Sequence, residues 1–328
     1  LRDRKWFVGR AEPNLADWLD LVALGTVADV VQLDQNNRRL VHEGLRRIRA
    51  GKARPGLNAL IETAGLDRTS LLTRHLAFSI APRLNAAGRL QDMSVGIECL
   101  LSTEDKAEEL ANYLDELNQE RREIENNMRY QALQYVEELS LDGQNKAGLC
   151  IYGDDWHEGV IGIIAARARE MSFRPVIAFA PVSDSELKGS GRSVEGFHIR
   201  DALDAIGTRY PSLSLRFGGH AMAAGISLKR VDFDLFSAAF DYEAGKILGE
   251  SNPEQKVTTD GALNEEISIQ VARLLESAVP WGQGLPEPQF DDDFEILEQR
   301  LVRGQHLKMR LQPTKGHPVD AICFNRPN

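Results

Sequence analysis

Two adjacent glycines and a histidine, Gly218-Gly219-His220, followed by the small-residue run Ala221-Met222-Ala223-Ala224-Gly225, form the segment most suited to ligand chemistry. Without a Cβ the main chain can bend sharply and lie against a ligand. An imidazole at that bend can donate to a phosphate oxygen or carry a proton near neutral pH. The small residues behind it leave room for a helix or turn to pack closely. The plain alternative is a glycine turn with a half-buried histidine.

Three more segments carry side chains of the same kind. Ala23-Leu24-Gly25-Thr26-Val27-Ala28-Asp29 ends in one carboxylate, which serves either as a metal ligand or as a hydrogen-bonded cap. Ala81-Pro82-Arg83-Leu84-Asn85-Ala86-Ala87-Gly88-Arg89 holds two arginines and an amide. Lys188-Gly189-Ser190-Gly191-Arg192-Ser193 reads as a glycine-punctuated loop. There, backbone amides and the Ser190 hydroxyl would cradle an anion, and Arg192 would add a bidentate phosphate contact. An ordinary solvated Gly-Ser turn is the competing reading. His157, after Trp156, opens an expected helix and is either a DNA contact or a cap. Trp6, Trp18, Trp156 and Trp281 offer base stacking or core packing.

The elements that must position these groups change character along the chain. Asn14 caps a short helix with Asp17 in its first turn. Further helices are expected over 39–50, stopped by Gly51 and Pro55, and over 57–64. Residues 103–142 contain no glycine or proline, and an apolar stripe from Leu110 to Leu139 recurs at near-helical spacing. Such a helix is about 60 Å long and is expected to connect two domains; a coiled-coil dimer is the alternative, although the strict heptad is not sustained. Apolar strands at 148–152 and 175–179 flank a helix at 158–170, an α/β pattern. Strands are then expected over 294–302, 305–312 and 319–324, with turns at Gly304 and near Gly316. Three strands do not close a small barrel.

The 328 residues allow two or three domains. No apolar run is long enough for a membrane-spanning helix, and the start lacks the apolar core of a signal peptide. Three dispersed cysteines, Cys99, Cys150 and Cys323, lack metal-ligand spacing and read as reduced thiols in a cytoplasmic protein. A net charge of −10 argues against a protein that coats nucleic acid unspecifically, though not against a local basic groove. Residues 38–54 hold seven cations opposed within that stretch by Glu43, either a solvated face or a phosphate-binding one. The first residue is leucine, and the β region stops at three strands. Both are taken as signs that the sequence is part of a longer protein.

The four segments, together with Trp156-His157-Glu158-Gly159-Val160, Arg174-Pro175-Val176-Ile177-Ala178-Phe179 and Trp281-Gly282, resemble in order the RecJ family. These are single-strand-specific 5′→3′ DNA exonucleases of the DHH phosphoesterase superfamily. The resemblance covers nearly the whole chain. It implies that Asp29 is a ligand of a two-metal site for Mn²⁺ or Mg²⁺, completed by residues upstream of this sequence. Two such cations would neutralise charge developing on the phosphoryl oxygens and make hydroxide from water. His220 is then a catalytic group facing the scissile phosphate beside Gly218 and Gly219. Ser190, Arg192 and one arginine of the Arg83-Leu84-Asn85-Ala86-Ala87-Gly88-Arg89 segment form a 5′-phosphate pocket; Arg83 and Arg89 both remain open, with Arg89 the favoured one. Asn85 and His157 join the DNA-binding set.

The three earlier motifs of that superfamily, an Asp-x-Asp pair, a further aspartate and the Asp-His-His, are not found ahead of the Asp29 segment in this sequence, so these residues alone are expected to be inactive. The implied fold is α/β: the remnant of a DHH catalytic domain (1–104), a connecting helix (105–142), a DHHA1 α/β domain (146–250) and a partial OB-fold β-barrel for single-stranded DNA (256–328). The expected partners are single-stranded DNA, single-strand-binding protein and recombination or mismatch-repair factors. A monomer with no membrane association is expected. Two alternatives stand beside this one: a DHH-family oligonucleotide or cyclic-dinucleotide phosphodiesterase, and a non-catalytic single-stranded nucleic-acid-binding protein.

Overall fold

The computed structural model describes residues 3–9, 11–141, 146–249, 257–263, 267–304 and 306–324. In chain order, helices α1 (Leu19–Ala28), α2 (Gln35–Arg49), α3 (Pro55–Thr63), α4 (Thr73–His75), α5 (Ala81–Leu90), α6 (Ser94–Leu101) and α7 (Glu104–Leu141) come first. The α/β region follows as β1 (Leu149–Tyr152), α8 (Ile161–Ser172), β2 (Val176–Pro181), β3 (Glu186–Arg192), α9 (Ile199–Arg209), β4 (Arg216–Gly219), β5 (Ala223–Lys229) and α10 (Phe233–Leu248). Helix α11 (Ile269–Ala278) and strands β6 (Phe294–Val302), β7 (His306–Pro313) and β8 (Val319–Cys323) close the order. The chain divides into two compact units, one of Leu1–Pro82, Leu100–Glu108 and Lys256–Asn328, the other of Arg83–Cys99 and Glu109–Gln255.

In the first unit, helices α1 and α2 cross closely at Gly44, where a Cβ would stand 2.5 Å from that of Ala23. Helix α2 starts at Gln35, four residues before the expected Arg39, because Asp34 caps it: its Oδ1 accepts the Asn37 N–H at 2.8 Å. Pro55, expected only as a stop, opens α3 at its first position, where a missing N–H costs nothing. The core is aliphatic, built on Leu24, Val41, Leu45, Ile48, Leu57, Leu60 and Leu76. Strands β6, β7 and β8 pair antiparallel in that order into an open sheet. The turns fall where positive φ values at Gly304 (69°) and Gly316 (98°) are free of Cβ strain.

The second unit is built on a five-stranded sheet of order β1-β2-β3-β5-β4. Strands β1 and β2 run parallel and the remaining pairs antiparallel. Strand alternation divides the side chains between two cores. Cys150, Ile177, Phe179 and Leu187 pack with Ile199, Leu203, Ile206, Phe236 and Phe240 of α9 and α10. Leu149, Ile151, Val176 and Ala178 pack with Ile161, Ile164 and Ala168 of α8 and with Met128 and Ala132 of α7.

Two expectations are corrected here. The Lys188–Ser193 segment is not a loop: residues 188–192 lie in the central strand β3, paired with both β2 and β5. Gly189 and Gly191 are there because Phe179 and Ile199 fill the space of their side chains, each 2.5 Å from where a Cβ would stand. Of the run after His220, Ala221 and Met222 lie in the hairpin turn and Ala223–Gly225 in strand β5, registered on β3 with Ala223 opposite Arg192. Helix α8 begins at Ile161 rather than Glu158, so His157 lies in the turn that precedes it.

Candidate functional site

The side chains of strand β3 alternate, and Lys188, Ser190 and Arg192 fall on the face toward α8. Arg192 folds back along its own strand: its Nη1 donates to Ser190 Oγ at 3.1 Å and to the Gly191 carbonyl at 2.8 Å. Gly162, in the first turn of α8, makes this possible. A Cβ there would stand 2.9 Å from Arg192 Nη2 and 3.1 Å from Ser190 Oγ. Strand pairing commits the amides of β3, so the anion-binding capacity lies in the hydroxyl and the guanidinium rather than in a backbone cradle.

Arg89, near the end of α5, reaches the same region. Its Nη1 donates to the Gly159 carbonyl at 3.1 Å, and a Cβ at Gly159 would collide with the Arg89 carbonyl. Burial first, and Arg89 second, hold the Arg192 guanidinium below the usual arginine range, with Arg169 adding to the effect. Arg89 is lowered likewise, by desolvation first and then by Arg121, while Glu125 pulls the other way. Arg192 beside Ser190 at Gly162, and Arg89 at Gly159 three residues earlier, thus bring two cations to the start of α8, an arrangement that gains from an arriving anion.

Arg83 is placed differently. It is buried, and its Nε pairs with Asp115 Oδ1 of α7 at 2.8 Å. Asn85 is exposed on α5. His157 accepts the Gly159 N–H at 3.1 Å through Nδ1 and is exposed. Gly218 and Gly219 end strand β4. Gly219 has φ 147°, and a side chain there would strike the Ala223 carbonyl. His220 begins the hairpin turn, donating its N–H to the Ala223 carbonyl at 2.9 Å. That turn is tied to the segment after β3, since Ser193 N donates to the Met222 carbonyl and Ile199 N to the Ala221 carbonyl, each at 3.0 Å. His220 thus belongs to the hairpin at the Arg192 end of the sheet. Gly162 escaped sequence reasoning; its only signal was a glycine in the first turn of a helix, where propensity disfavours it.

Asp29 lies in the first unit as the C-cap of α1, exposed, with its N–H bonded to the Gly25 carbonyl at 3.1 Å. The next residue, Val30, has φ 53°, a conformation that a β-branched side chain disfavours. Among the described residues no three His, Cys, Asp or Glu side chains converge to hold a metal ion. The described residues therefore do not fit a metal centre, and Asp29 stands as a single carboxylate.

The basic stretch 38–54 is more heavily compensated than its own sequence implies. Arg47 pairs with Asp17 at 2.7 Å, and Arg54 lies 3.7 Å from the buried Asp20, whose Oδ2 also accepts the Arg54 N–H. Arg46 pairs with Glu43, and Arg49 donates to the Leu71 carbonyl. Trp156 is buried and bonds Gln131, Trp281 donates to the Leu275 carbonyl, and Trp18 lies under the Arg54 guanidinium. Trp6 is exposed. No helix among the described residues is long and apolar enough to cross a membrane.

Residues 144–246 match the family model of the DHHA1 domain, and residues 259–328 that of the RecJ OB domain. Fold and domain matches thus define an α/β protein in which a DHHA1 domain precedes an OB domain. The curated relatives are more specific. "Single-stranded-DNA-specific exonuclease RecJ" of Escherichia coli K12 is 52% identical over 99% of this chain and 57% of its own length. The protein of that name from Bacillus subtilis 168 is 32% identical over 94% of this chain and 39% of its own length. The crystal structure of RecJ in complex with Mg²⁺ from Thermus thermophilus superposes with TM-score 0.81 at 32% identity, covering 100% of this chain and 48% of that one. A RecJ structure bound to manganese gives TM-score 0.61 at 32% identity, over 77% of this chain and 60% of that one. The chain belongs to the RecJ family. It spans little more than half the length of the Escherichia coli relative.

Proposed function

We propose that this chain is the part of a metal-dependent 5′→3′ single-stranded-DNA exonuclease that receives the strand and holds its 5′ end. The observation that carries the reading is that Ser190 and Arg192 meet at Gly162 in the first turn of α8, while Arg89 bonds the Gly159 carbonyl three residues before it. A terminal phosphate there would accept from two guanidiniums and a hydroxyl, and a strand gripped by its 5′ end would be cut with 5′→3′ polarity. The committed ion pair of Arg83 supports Arg89 as the arginine of the pocket. The names of the relatives support single-stranded DNA as substrate.

In this reading His220 contacts the scissile phosphate from its hairpin, with Gly218 and Gly219 letting the backbone approach, and Asn85 and His157 contribute to the DNA path. Asp29 supplies one ligand to a Mn²⁺ or Mg²⁺ pair whose other ligands lie outside residues 1–328. Residues 1–104 correspond to a DHH domain portion, 105–142 to a connecting helix, 146–250 to the DHHA1 domain and 256–328 to an OB region. The protein is cytoplasmic and monomeric, and works with single-strand-binding protein and recombination or mismatch-repair factors.

The test is binding of polypeptide 1–328 to single-stranded oligonucleotides with a 5′-phosphate or a 5′-hydroxyl, read by fluorescence anisotropy. The phosphorylated end should bind on the order of tenfold more tightly, the scale of charge-assisted hydrogen bonds. Equal affinities would reject the pocket. With Mn²⁺ present, the same polypeptide should release no nucleotides above background.

A further inference from the structure

In the first unit, the segment that ends α11 is tied to the helices beside it. Leu33 donates its N–H to the Gln283 carbonyl at 2.7 Å, Trp281 Nε1 donates to the Leu275 carbonyl at 2.7 Å, and Arg74 pairs with Glu276 and stands 4.0 Å from Glu287. Ala278, Val279 and Pro280 thereby line a cavity of about 600 Å³ together with Arg38, Arg39 and His42 of α2.

The charges around this cavity are unbalanced. Glu43 also lines it, but Arg46 Nε and Nη2 both donate to one of its carboxylate oxygens, at 2.9 and 2.6 Å. Glu276 and Glu287 are occupied by Arg74. Arg38 donates to the Asp34 carbonyl at 3.4 Å and has no ion-pair partner among the described residues; the Arg39 and His42 side chains have no partner at all among them. Two guanidiniums and an imidazole thus border an open cavity in a chain of net charge −10. An anionic ligand would satisfy them.

Two observations define the kind of anion. A single nucleic-acid strand is gripped by aromatic faces beneath its bases as well as by cations along its backbone, and among the described residues no Phe, Tyr or Trp lines this cavity. Its uncharged wall is aliphatic and continues along α11, where Val271, Leu274 and Ala278 recur at i, i+3 and i+7 on one helix face, with Leu274 66% exposed. Arginines beside an aliphatic stripe match a polypeptide that carries both carboxylates and aliphatic side chains.

We propose that this groove is a docking site for an acidic segment of a partner protein, with its carboxylates on Arg38, Arg39 and His42 and its aliphatic side chains on Leu274 and Val279. None of these residues belongs to the Arg89–Ser190–Arg192 pocket, so either site can fail without the other. The probe is a fluorescein-labelled octapeptide of six aspartates interrupted by two leucines, titrated with polypeptide 1–328 by fluorescence anisotropy at low salt. Arg39→Glu removes one attraction and adds one repulsion, and should weaken binding on the order of tenfold. Leu274→Ser should weaken it on the order of threefold, as should replacing both leucines of the peptide by serine.

Equal binding by the wild type and Arg39→Glu would overturn the proposal. If the reversal unfolds the chain, Arg39→Gln decides, with an expected loss of about threefold. Equal binding of the leucine and serine peptides, with Arg39→Glu weakening an eight-nucleotide oligothymidylate as much as the peptide, would make the groove a strand contact and overturn it as well. So would self-association of polypeptide 1–328 in analytical ultracentrifugation that Arg39→Glu disperses, since the occupant would then be a second copy of this chain.

Discussion

Arg192 Nη2 occupies space that a single methyl group on Gly162 would invade. The strand supplies the guanidinium and the helix supplies its vacancy, so neither element makes the pocket alone. Gly162→Ala separates two effects. Alanine favours the helix by up to about 1 kcal/mol, while its Cβ pushes Arg192 off Ser190. Thermal stability should hold or rise slightly, and affinity for 5′-phosphorylated single strands should fall on the order of tenfold. Retained affinity would show that the Arg192 position is not what the ligand needs.

Arg83 and Arg89 lie six residues apart and should behave oppositely when changed. Arg83 is held to Asp115 with both side chains largely out of solvent, at 11% and 20% exposure. Arg83→Met leaves a carboxylate behind and should cost on the order of 2 kcal/mol in urea denaturation, between the exposed and the fully buried cases. It should leave the preference for 5′-phosphate intact. Arg89→Met should remove that preference with little loss of stability.

His75 makes stability depend on pH in a defined sense. Its Nδ1 accepts the Leu72 N–H at 3.0 Å. Burial first and Arg74 next lower its pKa, with Arg49 adding to this and Glu276 opposing it. The folded pKa lies below the unfolded one, so below the ordinary value of about 6.5 the unfolded chain binds the proton first. This contribution to stability is fully present above about 6.5 and is lost as pH falls through the lower, folded value. Melting temperatures measured from pH 7.5 down to 5 should fall more steeply in the wild type than in His75→Gln. Parallel profiles would remove His75 as the cause.

The cysteines should divide by reactivity. Cys99 and Cys150 are buried, and burial pushes the Cys99 thiol up to about 11 and that of Cys150 further. Cys323 is exposed at the end of β8. Mass spectrometry after brief alkylation of the native protein at pH 7.5 should find Cys323 modified, with Cys99 and Cys150 reacting only on denaturation. Rapid labelling of Cys150 would contradict its place in the α9–α10 core.

Where residue pattern alone sets the outcome, the sequence was sufficient. The uninterrupted apolar stripe beyond Thr103 becomes the helix Glu104–Leu141, and the alternation Leu307-Lys308-Met309-Arg310-Leu311 becomes a strand. Both are local periodicities that survive because the packing agrees with them. The segment Lys188–Arg192 could not be read in this way. Its glycines resemble loop punctuation, and only Phe179 and Ile199, brought against them from β2 and α9, show them to be a strand under a crowded core. The same holds for the paired arginines. Their motif places Arg83 and Arg89 on one helix without ranking them, because the ranking belongs to Asp115 on one side and to Gly159, Arg121 and Arg192 on the other. The sequence by itself determined which groups are available to meet a phosphate. Tertiary structure decided which of them are free to do so, because an ion pair or a missing Cβ acts only between residues that folding brings together.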